Sequence, residues 1–128
     1  MRSNAKPGTT PRIKTKNPLL WIFEVLEDDP RYERRKLFSF DAAYLDNRLY
    51  LAASGGEEPW NGLLVCTGRE HHAALQAQFP QLVSHPVLGK WLYISQAHPE
   101  FESVAADLAT LAQRRDPRLG VDSKARLR

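Results

Sequence analysis

Residues 36–53 read KLFSFDAAYLDNRLYLAA, and this stretch decides the fold. Apolar residues recur at alternate positions in both halves, which is the period of a β-strand with one buried face. Asp46 and Asn47 separate the halves, and both residue types tolerate the positive φ of a two-residue hairpin turn. The stretch therefore predicts a β-hairpin. Its first strand is expected to bury one face formed by Phe38, Phe40, Ala42 and Tyr44.

The segments on either side of the hairpin predict two further strands and three helices. The apolar runs at 62–67 and 91–95 predict the strands. The helices are predicted from the Asn17-Pro18 cap to Asp28, from a capping box at 67–70 to about Phe79, and from residues 98–100 to about Arg115. The resulting order is α-ββ-β-α-β-α. It predicts an α+β fold, a two-layer sandwich with helices packed on one face of a mainly antiparallel sheet of about four strands.

The composition is that of an ordinary globular protein. Of the 128 residues, 42% are hydrophobic and 26% are charged, which excludes the wholly disordered, collagen-like and membrane-spanning classes. No run approaches the ~20 apolar residues of a spanning helix, and no secretory signal is visible. Cys66 is the single cysteine, so no internal disulfide can form. We expect a cytoplasmic protein without membrane association.

The charge is unevenly distributed, with basic ends and an acidic middle. Residues 1–16 contain five basic residues and no acid, whereas residues 17–113 contain seven basic and thirteen acidic residues. Residues 1–16 are also poor in apolar anchors, so a flexible basic arm is predicted there. Residues 17–115 are predicted to form a single α+β domain, and residues 116–128 a basic C-terminal tail.

The sequence contains no arrangement typical of catalysis or metal binding. His71 and His72 are adjacent, so on a helix they point about 100° apart and do not converge on one ion. Cys66 lies in an apolar strand, where a thiol is expected to be buried and unreactive. No serine lies in a G-x-S-x-G motif, and neither Gly55-Gly56 nor Gly89-Lys90 has the remainder of a nucleotide-binding motif around it. We predict no enzymatic activity, no cofactor and no metal.

Basic residues beside aromatic ones are the remaining feature. The basic run 31–36 enters the hairpin, and Lys90 precedes Trp91. Cations contact phosphates and rings stack on bases, so these residues, placed near one sheet edge, predict a nucleic-acid-binding surface. The alternative is that residues 34–36 only protect an exposed strand edge from pairing. The candidate nucleic-acid-binding residues are Arg12, Lys14, Lys16, Arg34, Arg35, Lys36, Lys90 and Trp91.

The hairpin also resembles a known family. Lys36-Leu37-Phe38, followed by residues 43–50 (AYLDNRLY), is similar to the K-M-F-G … Y … G-K-M-F-A pattern of the small bacterial TfoX N-terminal-domain and YjbR/MmcQ proteins. Further along the chain, Gly89-Lys90-Trp91 is similar to the K-x-W strand of YjbR-type sequences. The resemblance covers about residues 33–113 and follows element order and hydrophobic pattern more than rare residues.

The resemblance implies a compact α+β fold, a bacterial cytoplasmic protein, and a role in DNA binding or competence regulation without a catalytic site. It extends to Lys36, Lys90 and Trp91 as positions of the pattern. The chain departs from the family at Asn47, where a hairpin glycine is usual, and at Ser39-Phe40, where a glycine-rich step is usual.

Three functions of different classes stay open at this point. The first is a non-enzymatic regulatory domain that binds nucleic acid weakly and non-specifically through its basic arms, with an affinity that falls steeply with salt. The second is a protein–protein interaction module or homodimer that uses the sheet face or the loop of Trp60, with an exposed apolar patch of more than a few hundred Å². The third is an enzyme or a small-ligand pocket.

Overall fold

The computed structural model describes residues 17–122 of the chain. The strands are β1 Tyr32–Leu37, β2 Phe40–Leu45, β3 Arg48–Gly55, β4 Asn61–Val65, β5 Val83–Ser84, β6 Leu92–Ile94 and β7 Val121–Asp122. The α-helices are α1 His72–Gln78 and α2 Phe101–Gln113, and two 3₁₀ helices span Leu20–Leu26 and Arg69–His71. No helix within residues 17–122 is long and apolar enough to cross a membrane.

The strands form one antiparallel sheet in the order β1-β2-β3-β4-β6-β5. β4 pairs with residues 51–55 of β3, and β7 pairs with Arg48 and Leu49, so β7 continues the line of β4 along the same strand. The α+β class is confirmed, but the described residues contain seven strands and a different element order. Two-residue strands such as β5 and β7 are too short to produce a periodic pattern, so the sequence did not reveal them.

The predicted hairpin is present. Asp46 and Asn47 have φ values of 55° and 65°, and Leu45 pairs with Arg48 across the turn. A second tight turn precedes it, where Phe38 has φ 57° and the chain reverses so that Leu37 pairs with Phe40. This turn was not predicted from the sequence. The predicted burial of Phe38 is therefore wrong, and its side chain is 60% exposed.

The helices pack on one face of the sheet, which we call the helix face. Ile22 of the first 3₁₀ helix, Leu75 of α1 and Leu108 of α2 belong to one buried cluster with Leu51 and Val65 of the sheet. The predicted amphipathic helix is confirmed as α2, whose buried residues recur at helical spacing. The buried residues of α2 are Phe101, Val104, Ala105, Leu108, Ala109 and Ala112.

The opposite face, which we call the loop face, is covered by loops and strand ends. Its buried cluster contains Phe40, Leu64 and Trp91, and Trp60 and Leu88 pack against it from two loops. Every residue of β2 and β4 is buried. Within residues 17–122 neither face of the central strands is open, which argues against the predicted use of the sheet face by a partner.

The first two predicted helices differ from the observed ones at their starts. The first is a 3₁₀ helix, although the side chain of Asn17 does accept a hydrogen bond from the N–H of Leu19 at 2.8 Å. The predicted capping box at 67–70 is wrong, because the hydroxyl of Thr67 donates to the carbonyl of Arg118 and no side chain caps the 3₁₀ turn. The hydroxyl of Thr67 therefore bonds to a segment 51 residues further along the chain and not to the start of the helix.

The predicted domain boundary at residue 115 is also wrong. Leu119 is buried in the helix-face cluster, and Val121–Asp122 pairs with β3. Residues 116–122 therefore belong to the fold rather than to a tail. The predicted flexible arm, 1–16, and the remainder of the predicted tail, 123–128, lie outside the described residues.

Candidate basic cavity

The three basic residues of β1 do not form one surface. Alternation along the strand places Arg34 and Lys36 on the helix face and Arg35 on the loop face. The ammonium of Lys36 lies 3.2 Å from Asp41, and the guanidinium of Arg35 lies 2.8 Å from Glu33. Two of these three cations are therefore already neutralised by neighbouring carboxylates.

Arg35 also packs on an aromatic ring of the loop face. Its guanidinium carbon lies 4.3 Å from the centre of the Tyr44 ring, and its Nη2 donates a hydrogen bond to Asn47. The hydrogen bond that Arg35 donates to the carboxylate of Glu33 lowers the pKa of Glu33 below its ordinary value and raises the pKa of Arg35. These contacts hold Arg35 along its own strand, which supports the alternative that this charge protects the sheet edge.

Lys90 and Trp91 lie far from β1. β1 is one edge of the sheet, and Lys90 precedes β6 near the opposite edge, four strands away or roughly 19 Å across the sheet. The expectation that both basic groups meet at one edge is therefore wrong. The other candidate residues, Arg12, Lys14 and Lys16, lie outside the described residues.

Lys90 and Trp91 instead line a cavity of about 450 Å³, which we call the β7 cavity. Trp91 and Val121 belong to the loop-face cluster or pack against it, so they give the cavity an apolar wall. Arg69 and Lys90 bring two positive charges to it, and Asp122 brings one negative charge. The lining residues are Thr67, Gly68, Arg69, Lys90, Trp91, Val121 and Asp122.

Segments distant in the sequence meet beside the two cations of the cavity. The ring Nε2–H of His72 in α1 donates to the carbonyl of Lys90 at 2.9 Å, and the ammonium of Lys90 lies 5.8 Å from the centre of the Trp91 ring. The guanidinium of Arg69 extends over the adjacent turn, since an added Cβ at Gly89 would lie 3.8 Å from its Nη2. The guanidinium of Arg69 therefore lies close to Gly89, the residue that precedes Lys90.

A second set of contacts brings β7 to the cavity. The N–H of Gly120 donates to the carbonyl of Cys66 at 2.8 Å. Arg118 makes three hydrogen bonds to Asp116, two from its guanidinium and one from its N–H, and they lower the pKa of that carboxyl. Cys66, which accepts the bond from Gly120, is itself fully buried.

His85 fixes the loop before β6. Its Nδ1 accepts hydrogen bonds from the N–H groups of Val87 and Leu88, both at 3.0 Å, and its Nε2–H donates to the carbonyl of Pro59 at 2.7 Å. All three contacts use the neutral ring. Across residues 17–122 no group of three His, Cys, Asp or Glu side chains is arranged to hold a metal ion.

Among residues 17–122, three of the cations that form no salt bridge with another described residue lie around β7. Of the ten basic residues in 17–122, five form salt bridges within that part of the chain. Three of the other five, Arg48, Arg69 and Lys90, surround β7: Arg48 pairs with Asp122 in the sheet, and its guanidinium donates to the carbonyl of Gly120 at 2.7 Å. The remaining two, Arg34 and Arg114, lie elsewhere.

Lys90 and Trp91 were predicted from the sequence as binding residues, whereas Arg48, Arg69 and Val121 were not. Arg48 and Arg69 are isolated basic residues in the sequence, and Val121 follows a proline-containing turn with no apolar pattern around it. They come together only because β7 returns to the middle of the sheet. No local sequence signal reports that pairing.

The fold and the cavity define an antiparallel α+β domain with a cation-rimmed apolar cavity at the end of a central strand. No match to the chain was found among protein-family models, curated proteins or solved structures. The resemblance to the TfoX N-terminal-domain and YjbR/MmcQ proteins therefore stays a prediction from the hairpin and the Gly89-Lys90-Trp91 segment.

Proposed function

We propose that this chain is a non-enzymatic domain that binds nucleic acid weakly and non-specifically through the rim of the β7 cavity. One observation carries the proposal: Arg48, Arg69 and Lys90, all without a salt bridge among residues 17–122, surround the strand from which the chain continues into residues 123–128. That last segment adds Lys124, Arg126 and Arg128 and no acid.

The charge of the remaining surface restricts where a polyanion binds. Residues 17–122 contain ten basic and fifteen acidic residues, a net charge of −5, so most of this domain repels phosphates. The three cations around β7 oppose that repulsion locally, and three more cations follow β7 in the sequence. If all six contact a duplex, the logarithm of the affinity falls with the logarithm of the salt concentration with a slope of about −5.

The test measures binding of a labelled, mixed-sequence DNA fragment by fluorescence anisotropy across a range of KCl concentrations. We expect an affinity that falls steeply with salt. Removing two rim charges in the double variant Arg69→Ala/Lys90→Ala should reduce the magnitude of the slope by about 2, because two fewer counterions are released.

A matched control removes the same charge from other places. The double variant Arg34→Ala/Arg114→Ala also deletes two cations that form no salt bridge in the described chain, but neither lines the β7 cavity. It should keep the slope of the unmodified protein. Equal effects of both double variants, or binding that does not change with salt, would contradict the proposal.

A second candidate function is self-association through the end of the β1–β2 turn. Phe38 is 60% exposed, and its ring packs edge-on against Trp60 with the ring centres 6.5 Å apart. Large exposed rings are typical of interfaces. Sedimentation equilibrium would then show a dimer that Phe38→Ser dissociates and that Val83→Ser, a change at another exposed apolar residue, leaves intact.

A further inference from the structure

The β7 cavity has the chemistry of a site for one unpaired nucleotide, and this inference rests on the function proposed above. Its volume of about 450 Å³ is within the usual range of small-molecule sites. The wall contains Trp91, which is only 2% exposed, and the partly exposed Val121, and its apolar surface suits a planar ring. The rim carries Arg69 and Lys90, which suit a phosphate.

The arrangement of charge indicates which part of the ligand enters. A phosphate within the cavity would leave water for a partly apolar space that also contains the carboxylate of Asp122. A nucleobase is neutral, planar and of low polarity on its faces, so it meets neither penalty. We propose that a single unpaired base occupies the cavity while its phosphate lies at the rim against Arg69 and Lys90.

A cavity that takes one unpaired base should bind single strands more tightly than duplexes. A base in a duplex is stacked and paired, and it must be extruded before it can enter a cavity, which costs free energy. A base in a single strand enters without that cost. The protein should therefore bind single-stranded nucleic acid about tenfold more tightly than a duplex of the same sequence at the same salt concentration.

The experiment compares three labelled probes by anisotropy: a single strand, the matching duplex, and the same single strand with abasic sites throughout. The abasic strand keeps the phosphates and lacks the bases. We expect the single strand to bind about tenfold more tightly than the other two. Equal affinity for all three probes, with the same salt dependence, would overturn this inference and leave the proposed function standing.

Loss of salt-dependent binding to every probe would overturn both the proposed function and this inference. The two failures therefore give different results.

A second experiment fills the cavity. Val121→Phe enlarges a lining side chain without changing the charge, and aromatic residues are well accepted in strands. It should lower single-strand affinity to the duplex value. The control Val83→Phe adds the same volume at an exposed position of β5 and should change nothing.

A direct measurement avoids dependence on the folding of Val121→Phe. Adenosine monophosphate is added to the ¹⁵N-labelled full chain, and ribose 5-phosphate is added to a second sample. We expect adenosine monophosphate to shift the indole resonance of Trp91. Ribose 5-phosphate should shift this resonance no more than an equal concentration of a simple salt does. Identical shifts from both compounds would show that the base does not enter and would overturn the inference.

Discussion

At the scale of single residues, backbone conformation decides several positions more strongly than side-chain chemistry. Asp46 and Asn47 are residue types that adopt positive φ readily, and this is why the sequence alone predicted their turn. Phe38 is not such a type, and its φ of 57° explains why the alternation of apolar residues misled the prediction there. Hydrophobic patterns indicate burial only where the backbone stays extended.

Gly62 is the position where a side chain is least tolerable. It has φ 73°, and an added Cβ would overlap the carbonyl oxygen of Ile94 and lie 2.8 Å from the nitrogen of Gln96. We expect Gly62→Ala to lower the free energy of unfolding by about 3 kcal/mol, because β4 must separate from β6. Urea denaturation measures this. Gly89→Ala is the control, since its Cβ would meet only ordinary contacts at 3.8 Å. Equal stability of the two variants would contradict the expectation.

Arg115 combines an unfavourable backbone with strong side-chain contacts. Its φ is 59°, and its guanidinium lies 2.7 Å from both Asp29 and Asp46, which raises the pKa of Arg115 above its ordinary value. Arg115→Ala loses the contacts and keeps the backbone strain, whereas Arg115→Gly loses the contacts and relieves the strain.

We therefore expect both Arg115 variants to be destabilised, and the glycine variant to be more stable than the alanine variant by about 1 kcal/mol. Thermal and urea denaturation of the pair give the comparison. An alanine variant as stable as the glycine variant would show that the backbone at this position carries no strain, and would refute the argument.

At the scale of elements, the sequence predicted those whose pattern is local and missed those that depend on distant partners. The hairpin and α2 have several periods of alternating or helical apolar spacing, so their own residues identify them. β7 has two residues, and it pairs with Arg48 and Leu49 of β3 on the side that β4, which ends at Val65, leaves open. Most of the β7 cavity was therefore not predictable from the sequence, because Val121 and Asp122 reach it only through the pairing of β7 with β3.

Gly120 tests the importance of β7 for the proposed binding. It has φ 94°, and an added Cβ would lie 2.9 Å from the ring of Tyr50. Gly120→Ala should detach β7, lower the free energy of unfolding by about 2 kcal/mol, and weaken nucleic-acid binding at low salt. Amide hydrogen exchange at Val121 and Asp122 reports the detachment. If exchange accelerates while binding and its salt dependence stay unchanged, β7 does not organise the binding surface.

At the scale of the whole molecule, the described part of the chain is acidic and both ends of the sequence are basic. Residues 17–122 have a net charge of −5, while residues 1–16 and 123–128 contribute five and three positive charges. The two ends therefore compensate the domain, and the net charge of +3 conceals the contrast. An overall positive charge identifies neither a binding surface nor its position, because what matters is which cations lack a carboxylate partner.

The ion pairs of Arg115 with Asp29 and of Arg118 with Asp116 make the free energy of unfolding depend on pH in the acid range. Hydrogen bonds from Arg115 and Arg118 lower the pKa values of Asp29 and Asp116 from the ordinary value of 3.8. A carboxyl with a lowered pKa in the folded state stabilises the fold above its unfolded pKa, and that contribution disappears as the pH falls through the folded pKa. The unfolded chain binds more protons in this window, so the free energy of unfolding should decrease as the pH falls below about 4.

Urea denaturation at a series of pH values between about 2 and 7 measures this dependence. Arg115→Ala removes the group that lowers the pKa of Asp29, so its free energy of unfolding should be smaller at neutral pH and should fall less steeply on acidification. Arg34→Ala removes an equal charge that forms no salt bridge within residues 17–122, and it should keep the steepness of the unmodified protein. If the two variants show the same pH profile, the acid sensitivity arises from the net charge and not from the Arg115 ion pairs.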